Sequence, residues 1–145
     1  MSDVMDAEDK LAGIIAVHRG HEGPLLPILH DVQAAFGCID PAAERAIAHA
    51  LNVSRAEVHG VVSFYHDFVS APDPRPHVQL CRAEACQARG AEALVPSARS
   101  AAGERVRLSD VYCLGLCSVG PAARVGGNLY ARLDQAALVA LVESA

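Results

Sequence analysis

The chain has 145 residues, with 12 Lys or Arg against 17 Asp or Glu, so its net charge is −5 when the histidines are neutral. This acidic balance, without a basic run, argues against binding to nucleic acid or to an anionic membrane. Hydrophobic residues make up 52% of the chain, which excludes global disorder. The apolar stretches are shorter than the ~18 residues that span a bilayer, and the N-terminus does not resemble a secretory signal. We therefore expect a cytoplasmic protein without a membrane span.

The first half of the sequence predicts four short helices that form an antiparallel bundle over residues 1–70. Apolar residues recur at helical spacing within each helix, and glycines or capping residues separate the helices. Asp40 followed by Pro41 predicts the start of the third helix, because an N-cap and a proline at the first helical position favour initiation. Ser54 and Glu57 predict a capping box at the start of the fourth helix. The residues expected to be buried in that helix are Val58, Val61, Val62, Tyr65 and Phe68.

The second half follows a proline-rich linker at residues 71–76, where three prolines disfavour a helix. Residues 77–145 predict the order β-α-β-β-β-α, which is typical of a small α/β sheet domain. Pro96 is expected to kink or end the first helix of this domain, and Asp134 to cap the last one. The overall expectation is an α+β chain, with a helical bundle followed by an α/β domain. The predicted strands cover residues 77–81, 105–111, 122–125 and 129–133, with a turn at 126–128.

Four of the five cysteines form two pairs, Cys81-x4-Cys86 and Cys113-x3-Cys117. Each pair begins at the end of a predicted strand, so two loops from neighbouring strands can converge on one site. Four thiolates can bind a [2Fe–2S] cluster, with two cysteines on each iron. Such a cluster is anionic, so the surrounding loop must supply backbone N–H donors, and Gly115 lets the backbone approach the sulfurs closely.

Three other uses of these cysteines remain open from spacing alone. Structural zinc is the first, although zinc sites usually pair their ligands as C-x2-C and both pairs here are wider. Disulfides are disfavoured in the cytosol, and a thiol–disulfide oxidoreductase of the thioredoxin type uses C-x-x-C, which the sequence lacks. A zinc-stabilised adaptor without a redox role is therefore the alternative of another class. Cys38 stands apart and is expected to be a small buried hydrophobe, as free cysteines commonly are.

The paired cysteines and the segments around them resemble the thioredoxin-like [2Fe–2S] ferredoxin family. Residues 78–92 are similar to the first cluster motif of that family, and residues 113–122 are similar to the second. Residues 57–65 resemble the helix that precedes the linker, and residues 31–39 resemble an earlier helix and turn. The resemblance extends over about residues 10–145. It implies a thioredoxin-like fold for the second half of the chain.

The resemblance also implies the cofactor and its ligands. Cys81, Cys86, Cys113 and Cys117 carry over as the ligands of one [2Fe–2S] cluster. The family includes the 24 kDa-type subunit of respiratory complex I, and the small subunits of NAD-reducing hydrogenases and of soluble NAD-dependent formate dehydrogenases. The implied role is electron transfer, with no substrate-converting site in this chain. FMN, NAD, a molybdenum cofactor and further iron–sulfur clusters are expected only in partner subunits.

Residues 59–68 are most similar to the gamma subunit of soluble NAD-dependent molybdenum formate dehydrogenases. Tyr112 and Gly120 stand where complex I members often have an acidic residue and an alanine, which weakens a complex I assignment. The implied partners are a flavin/NAD-binding subunit and a molybdenum-containing subunit that oxidises formate. The helical half is expected to dock on the flavin partner, with Tyr65 and Phe68 as anchors if they are exposed. The equivalent subunit of complex I or of an NAD-reducing hydrogenase is the alternative.

Overall fold

The computed structural model describes the backbone of residues 2–145 and the side chains of residues 5–145. The chain forms two compact units, Met1–Asp73 and Pro74–Ala145. Across the described residues, no helix has both the length and the apolar character needed to cross a bilayer. The first unit contains the helices α1 (Ser2–His18), α2 (Leu25–Phe36), α3 (Pro41–Leu51) and α4 (Arg55–Phe64). The second unit contains β1 (His77–Cys81), α5 (Glu84–Ala88), α6 (Ala91–Ala102), β2 (Arg107–Val111), a 3-10 helix (Cys117–Val119), β3 (Ala123–Val125), β4 (Asn128–Tyr130) and α7 (Gln135–Ser144).

Local capping signals set the ends of the helices in the first unit. The side chain of Asp40 accepts a hydrogen bond from the backbone N–H of Ala43 at 2.7 Å, as the sequence predicts. Ser54 and Glu57 form the predicted capping box, with the Ser54 backbone N–H donating to the Glu57 carboxylate at 2.8 Å. α2 ends at Gly37, whose φ of 78° is left-handed. The fully buried side chains of this core are Ile28, Leu29, Val32, Ile39, Ile47 and Val58.

The end of α4 differs from the sequence prediction. The helix stops at Phe64, and Tyr65 adopts an extended conformation with φ −89° and ψ 111°. Helical spacing no longer sets the side-chain direction beyond that point. Tyr65 is therefore 43% exposed, and its predicted burial is wrong, whereas Phe68 is only 7% exposed and packs against the ring of His30. Phe64 itself is 74% exposed.

The second unit is built on a mixed four-stranded sheet with the order β2-β1-β3-β4. β1 pairs in parallel with β2 and antiparallel with β3, and β3 and β4 form the predicted hairpin. The turn of the hairpin consists of residues 126–127, because Asn128 already pairs with Val125. Helices followed by a sheet domain confirm the predicted fold class. The core of this unit includes Val78, Leu80, Leu94, Val95, Ala98, Leu138 and Val142.

Two helical features of the second unit differ from the prediction. α6 continues for six residues beyond Pro96, although a proline removes one backbone hydrogen bond. The buried stripe of α6, which includes Leu94 and Ala98, packs in the core of this unit, and this packing outweighs the lost bond. The short helix α5, which the sequence analysis does not predict, lies between β1 and α6 and contains Cys86.

Candidate functional site

The sheet brings both cysteine-bearing loops to one edge. Cys81 is the last residue of β1 and pairs in register with Val111, the last residue of the parallel strand β2. Cys113 follows Val111 by two residues, so both loops leave the sheet at the carboxyl ends of adjacent parallel strands. Cys86 lies in α5 and Cys117 begins the 3-10 helix, and the two short helices contact each other. The convergence that the spacing predicts is present.

The two cysteine pairs differ in their exposure to solvent. The inner pair, Cys81 and Cys86, is buried, with 2% exposure of each residue, and packs in an apolar cluster with Ala122. The outer pair, Cys113 and Cys117, is exposed, and its two Sγ atoms lie 3.6 Å apart. All four thiols are free, and the separation within the outer pair is far longer than a disulfide bond. The site therefore has a closed apolar side and an open side.

Backbone donors surround the innermost thiol. Burial alone would raise the pKa of Cys81, because an apolar environment disfavours the thiolate. The backbone N–H groups of Ala83, Cys113 and Leu114 and the thiol of Cys86 act in the opposite direction and together lower this pKa below its ordinary value. The thiolate of Cys81 is therefore stabilised, and the thiolate is the form that binds a metal.

The thiols of Cys86 and Cys117 resist ionisation without a cation. Burial, followed by the neighbouring Cys81 thiolate, raises the pKa of Cys86. The Cys113 thiol, through a hydrogen bond and its charge, raises the pKa of Cys117, and the charge of Cys81 adds to this effect. The four sulfurs are thus close enough to affect one another electrostatically. Ferric ions between them would relieve this repulsion, because they are opposite in charge to the thiolates.

The loop between Cys113 and Cys117 provides a donor to the open side. The backbone N–H of Gly115 donates to Cys113 Sγ at 3.3 Å. Gly115 has a φ of 77° and Cys113 a φ of 97°, so this loop depends on left-handed backbone conformations at two positions. Such a conformation is strained for a cysteine, and strain of this kind concentrates at functional sites. The predicted role of Gly115 in bringing the backbone to a sulfur agrees with this geometry.

The donor set fits a cluster with two metal ions. Among the described side chains, no three or more from His, Cys, Asp and Glu are grouped around one metal position. A [2Fe–2S] cluster requires only two thiolates on each iron, and the inner and outer pairs meet this requirement. Thiolates are also the soft ligands that iron–sulfur clusters prefer.

Two contacts near the site go beyond the sequence analysis. An added Cβ at Gly120 would lie 2.8 Å from Cys86 Sγ, so the sulfur occupies the volume that an alanine methyl group would take. Arg82 forms ion pairs with two carboxylates at the base of the cysteine loops. Neither contact has a local signal, because each joins residues that are distant in sequence. Cys38 is only half-buried, so its predicted burial is incomplete; the neighbouring Ile39 is the fully buried residue.

Comparison with known proteins identifies the family. The family model described as thioredoxin-like [2Fe-2S] ferredoxin matches residues 11–145. The chain belongs to this family. Membership confirms the expected thioredoxin-like [2Fe–2S] ferredoxin fold, and the [2Fe–2S] cluster is the cofactor of this thioredoxin-like ferredoxin.

Relatives of this ferredoxin belong to several oxidoreductases. A subunit of the NADH-quinone oxidoreductase of Rhizobium meliloti is 30% identical over 97% of this chain and 89% of that protein. NADP-reducing hydrogenase subunit HndA of Solidesulfovibrio fructosivorans is 29% identical over 75% of this chain and 69% of the relative. A crystal structure of an NAD⁺-reducing [NiFe]-hydrogenase in the air-oxidized state is similar with a TM-score of 0.68 and 29% identity over 83% of this chain. The present chain spans about a fifth of that hydrogenase chain, 22% of its length.

Proposed function

We propose that this chain is an electron-transfer subunit of an NAD(P)-linked oxidoreductase complex. In this proposal Cys81, Cys86, Cys113 and Cys117 hold one [2Fe–2S] cluster, which accepts and releases a single electron. The observation that carries the proposal is the convergence of the two cysteine pairs at one edge of the sheet in a chain of this family. The relatives named above support the link to NAD(P), because their names specify NADH, NADP and NAD⁺.

The residues of the chain have separate tasks in this role. The buried inner pair, together with Ala122, excludes water from one side of the site. The exposed outer pair leaves the opposite side open to a redox partner. Backbone N–H groups, including that of Gly115, donate to the sulfurs and offset their negative charge. The chain therefore positions and partly shields the redox centre, while substrate conversion takes place in partner subunits.

Serine substitutions test the ligand set. Four variants are purified without oxygen and analysed for iron, acid-labile sulfide and EPR signal: Cys81→Ser, Cys86→Ser, Cys113→Ser and Cys117→Ser. We expect each variant to lose the cluster or to change its spectrum strongly, because an alkoxide is a poorer iron ligand than a thiolate. Cys38→Ser is the matched control and should retain the spectrum of the unsubstituted protein. An unchanged spectrum in any of the four variants would refute the assignment of that ligand.

For the parent complex, we propose a soluble NAD-dependent molybdenum formate dehydrogenase. The support is the similarity of residues 59–68 to the gamma subunit of those enzymes. The partners would be a flavin/NAD-binding subunit and a molybdenum-containing subunit, in the cytoplasm. The test is to purify the complex through a tag on this chain and to assay NAD⁺ reduction with formate or with hydrogen, and quinone reduction with NADH. Formate-dependent activity is the expected result, and activity only with hydrogen or quinone would assign the chain to one of the alternative complexes.

The helical unit contains the surface proposed to dock on the flavin/NAD-binding subunit. Phe64 and Tyr65 lie at the end of α4 with 74% and 43% exposure, and the centroids of their rings are 5.1 Å apart. Exposed aromatic side chains are frequent anchors of protein interfaces. Phe68, expected as an anchor if exposed, is buried and takes no part in this surface. Phe64→Ser should weaken binding to the flavin/NAD-binding subunit, whereas Val17→Ser, at a position 65% exposed on α1, should not.

A further inference from the structure

One arginine connects the segments from which the cysteine loops begin. Arg82 directly follows Cys81, and its guanidinium binds the carboxylate of Glu92 through two hydrogen bonds of 2.8 and 2.6 Å. Its third hydrogen bond reaches the carboxylate of Asp110 at 2.9 Å. The Arg82 side chain is 23% exposed, whereas the side chains of Glu92 and Asp110 are 47% and 35% exposed, so the guanidinium is the most shielded of the three charges. Bidentate arginine–carboxylate pairs of this kind are strong and geometrically specific.

Arg82 and its two carboxylate partners lie on the three segments that lead to the cysteines. Arg82 extends β1 beyond Cys81, and its backbone N–H donates to the carbonyl of Val111 at 2.8 Å. Glu92 lies in the first turn of α6, which follows the helix that contains Cys86. Asp110 lies on β2, three residues before Cys113. A single side chain thus joins the attachment points of both cysteine loops.

A second contact ties this arginine to α5. The side-chain amide of Gln87 donates to the backbone carbonyl of Arg82 at 2.7 Å. Gln87 is the neighbour of Cys86, so the backbone of residue 82 contacts the segments that contain both cysteines of the inner pair. The bound carboxylates raise the pKa of Arg82, and Arg82 lowers the pKa of Glu92, so the pair of Arg82 and Glu92 remains charged near neutral pH.

We propose that Arg82 is a positioning residue for the [2Fe–2S] site, and that the charge it shares with Glu92 and Asp110 sets the reduction potential of the cluster. The inference rests on the proposed ligand set. One guanidinium and two carboxylates have a net charge of −1 beside a site that gains negative charge on reduction. Charges closer together than the Debye length of about 10 Å interact even near a protein surface, so this net charge acts on the reduced state more than on the oxidised one.

Charge counting gives opposite expectations for two neutral substitutions. Arg82→Gln leaves both carboxylates without their cation, a net charge of −2, and should make the potential more negative. Glu92→Gln leaves Arg82 with Asp110, a net charge of zero, and should make the potential more positive. The double variant that combines Arg82→Gln with Glu92→Gln has the original net charge of −1 but lacks the bidentate pair. Its potential should therefore lie close to that of the unsubstituted protein.

The test measures reduction potentials by EPR-monitored titration of cluster-loaded full-length protein, with iron and sulfide determined for each sample. Arg82→Lys keeps the positive charge but not the bidentate guanidinium. Its reduction potential should therefore lie close to that of the unsubstituted protein, while it should lose its cluster faster. Arg105→Gln, at a position that precedes β2 at the end opposite to the cysteine loops, removes the same charge and should shift the potential much less. If Arg82→Gln does not accumulate, Glu92→Gln and Asp110→Asn must still shift the potential in the positive direction.

Two results would overturn the inference. One is a shift of Arg82→Gln and Glu92→Gln in the same direction, which a purely structural role predicts. The other is a shift of Arg82→Gln no larger than that of Arg105→Gln. Absence of a [2Fe–2S] signal from the unsubstituted protein is a separate outcome, because it refutes the proposed function itself.

Discussion

Replacing Gly115 by alanine tests how far the outer cysteine loop depends on its backbone conformation. Gly115 has a φ of 77°, and an added Cβ would meet no atom within 4 Å, so the cost is conformational rather than steric. The left-handed conformation costs an alanine roughly 1–2 kcal/mol, and the lower freedom of the unfolded chain returns about 0.4–1 kcal/mol. We expect a net loss of about 1 kcal/mol. If the backbone turns to avoid this cost, the N–H bond of 3.3 Å to Cys113 Sγ is also lost.

The assay is the rate at which the visible absorption of the cluster bleaches in denaturant without oxygen. A loss of about 1 kcal/mol corresponds to roughly fivefold faster bleaching if it acts on the loaded loop. Gly115→Asn should bleach more slowly than Gly115→Ala, because asparagine tolerates the left-handed region. Gly127→Ala is the matched control, since its φ is not left-handed and nothing lies near its Cβ. Equal rates for Gly115→Ala and Gly127→Ala would refute the reasoning.

Other predictions concern the core of the second unit, the cap of α4 and acid stability. Leu80 is 1% exposed in the central strand β1, so Leu80→Ala should cost about 2–5 kcal/mol in denaturant unfolding, and a loss below about 1 kcal/mol would contradict the described core. Ser54→Ala removes the cap of α4 and should cost about 1 kcal/mol; an unchanged midpoint would argue against the cap. The backbone N–H and hydroxyl of Ser54 lower the pKa of Glu57, so its contribution to stability is present above the unfolded pKa and is lost as the pH falls through the folded pKa. Unfolding measured at several pH values should therefore show a weaker acid dependence for Glu57→Gln than for the unsubstituted protein.

The sequence predicts those features that depend on neighbouring residues. The Asp40 cap, the capping box at Ser54 and the glycine end of α2 are local, and each forms as predicted. The two cysteine pairs are also local patterns, and their position at strand ends is sufficient to predict convergence because β1 and β2 are adjacent and parallel. Local chemistry therefore accounts for the elements and for the thiols of the candidate site.

Features that depend on distant contacts could not be predicted. The partners of Arg82 are 10 and 28 residues away, and no spacing rule links them. α6 passes through Pro96 because of its buried face, which only the folded sheet provides. Tyr65 is exposed because α4 ends at Phe64, the residue before it. The apolar spacing does not reveal this boundary. In each case tertiary structure decides the outcome, and the local pattern does not contain it.

The most direct test of the central claim is metal and sulfide analysis of protein purified without oxygen, combined with EPR before and after reduction by dithionite. We expect two iron ions and two sulfides for each chain, with a rhombic spin-half signal only in the reduced sample. Stoichiometric zinc without acid-labile sulfide would contradict the account and would favour a zinc-stabilised adaptor.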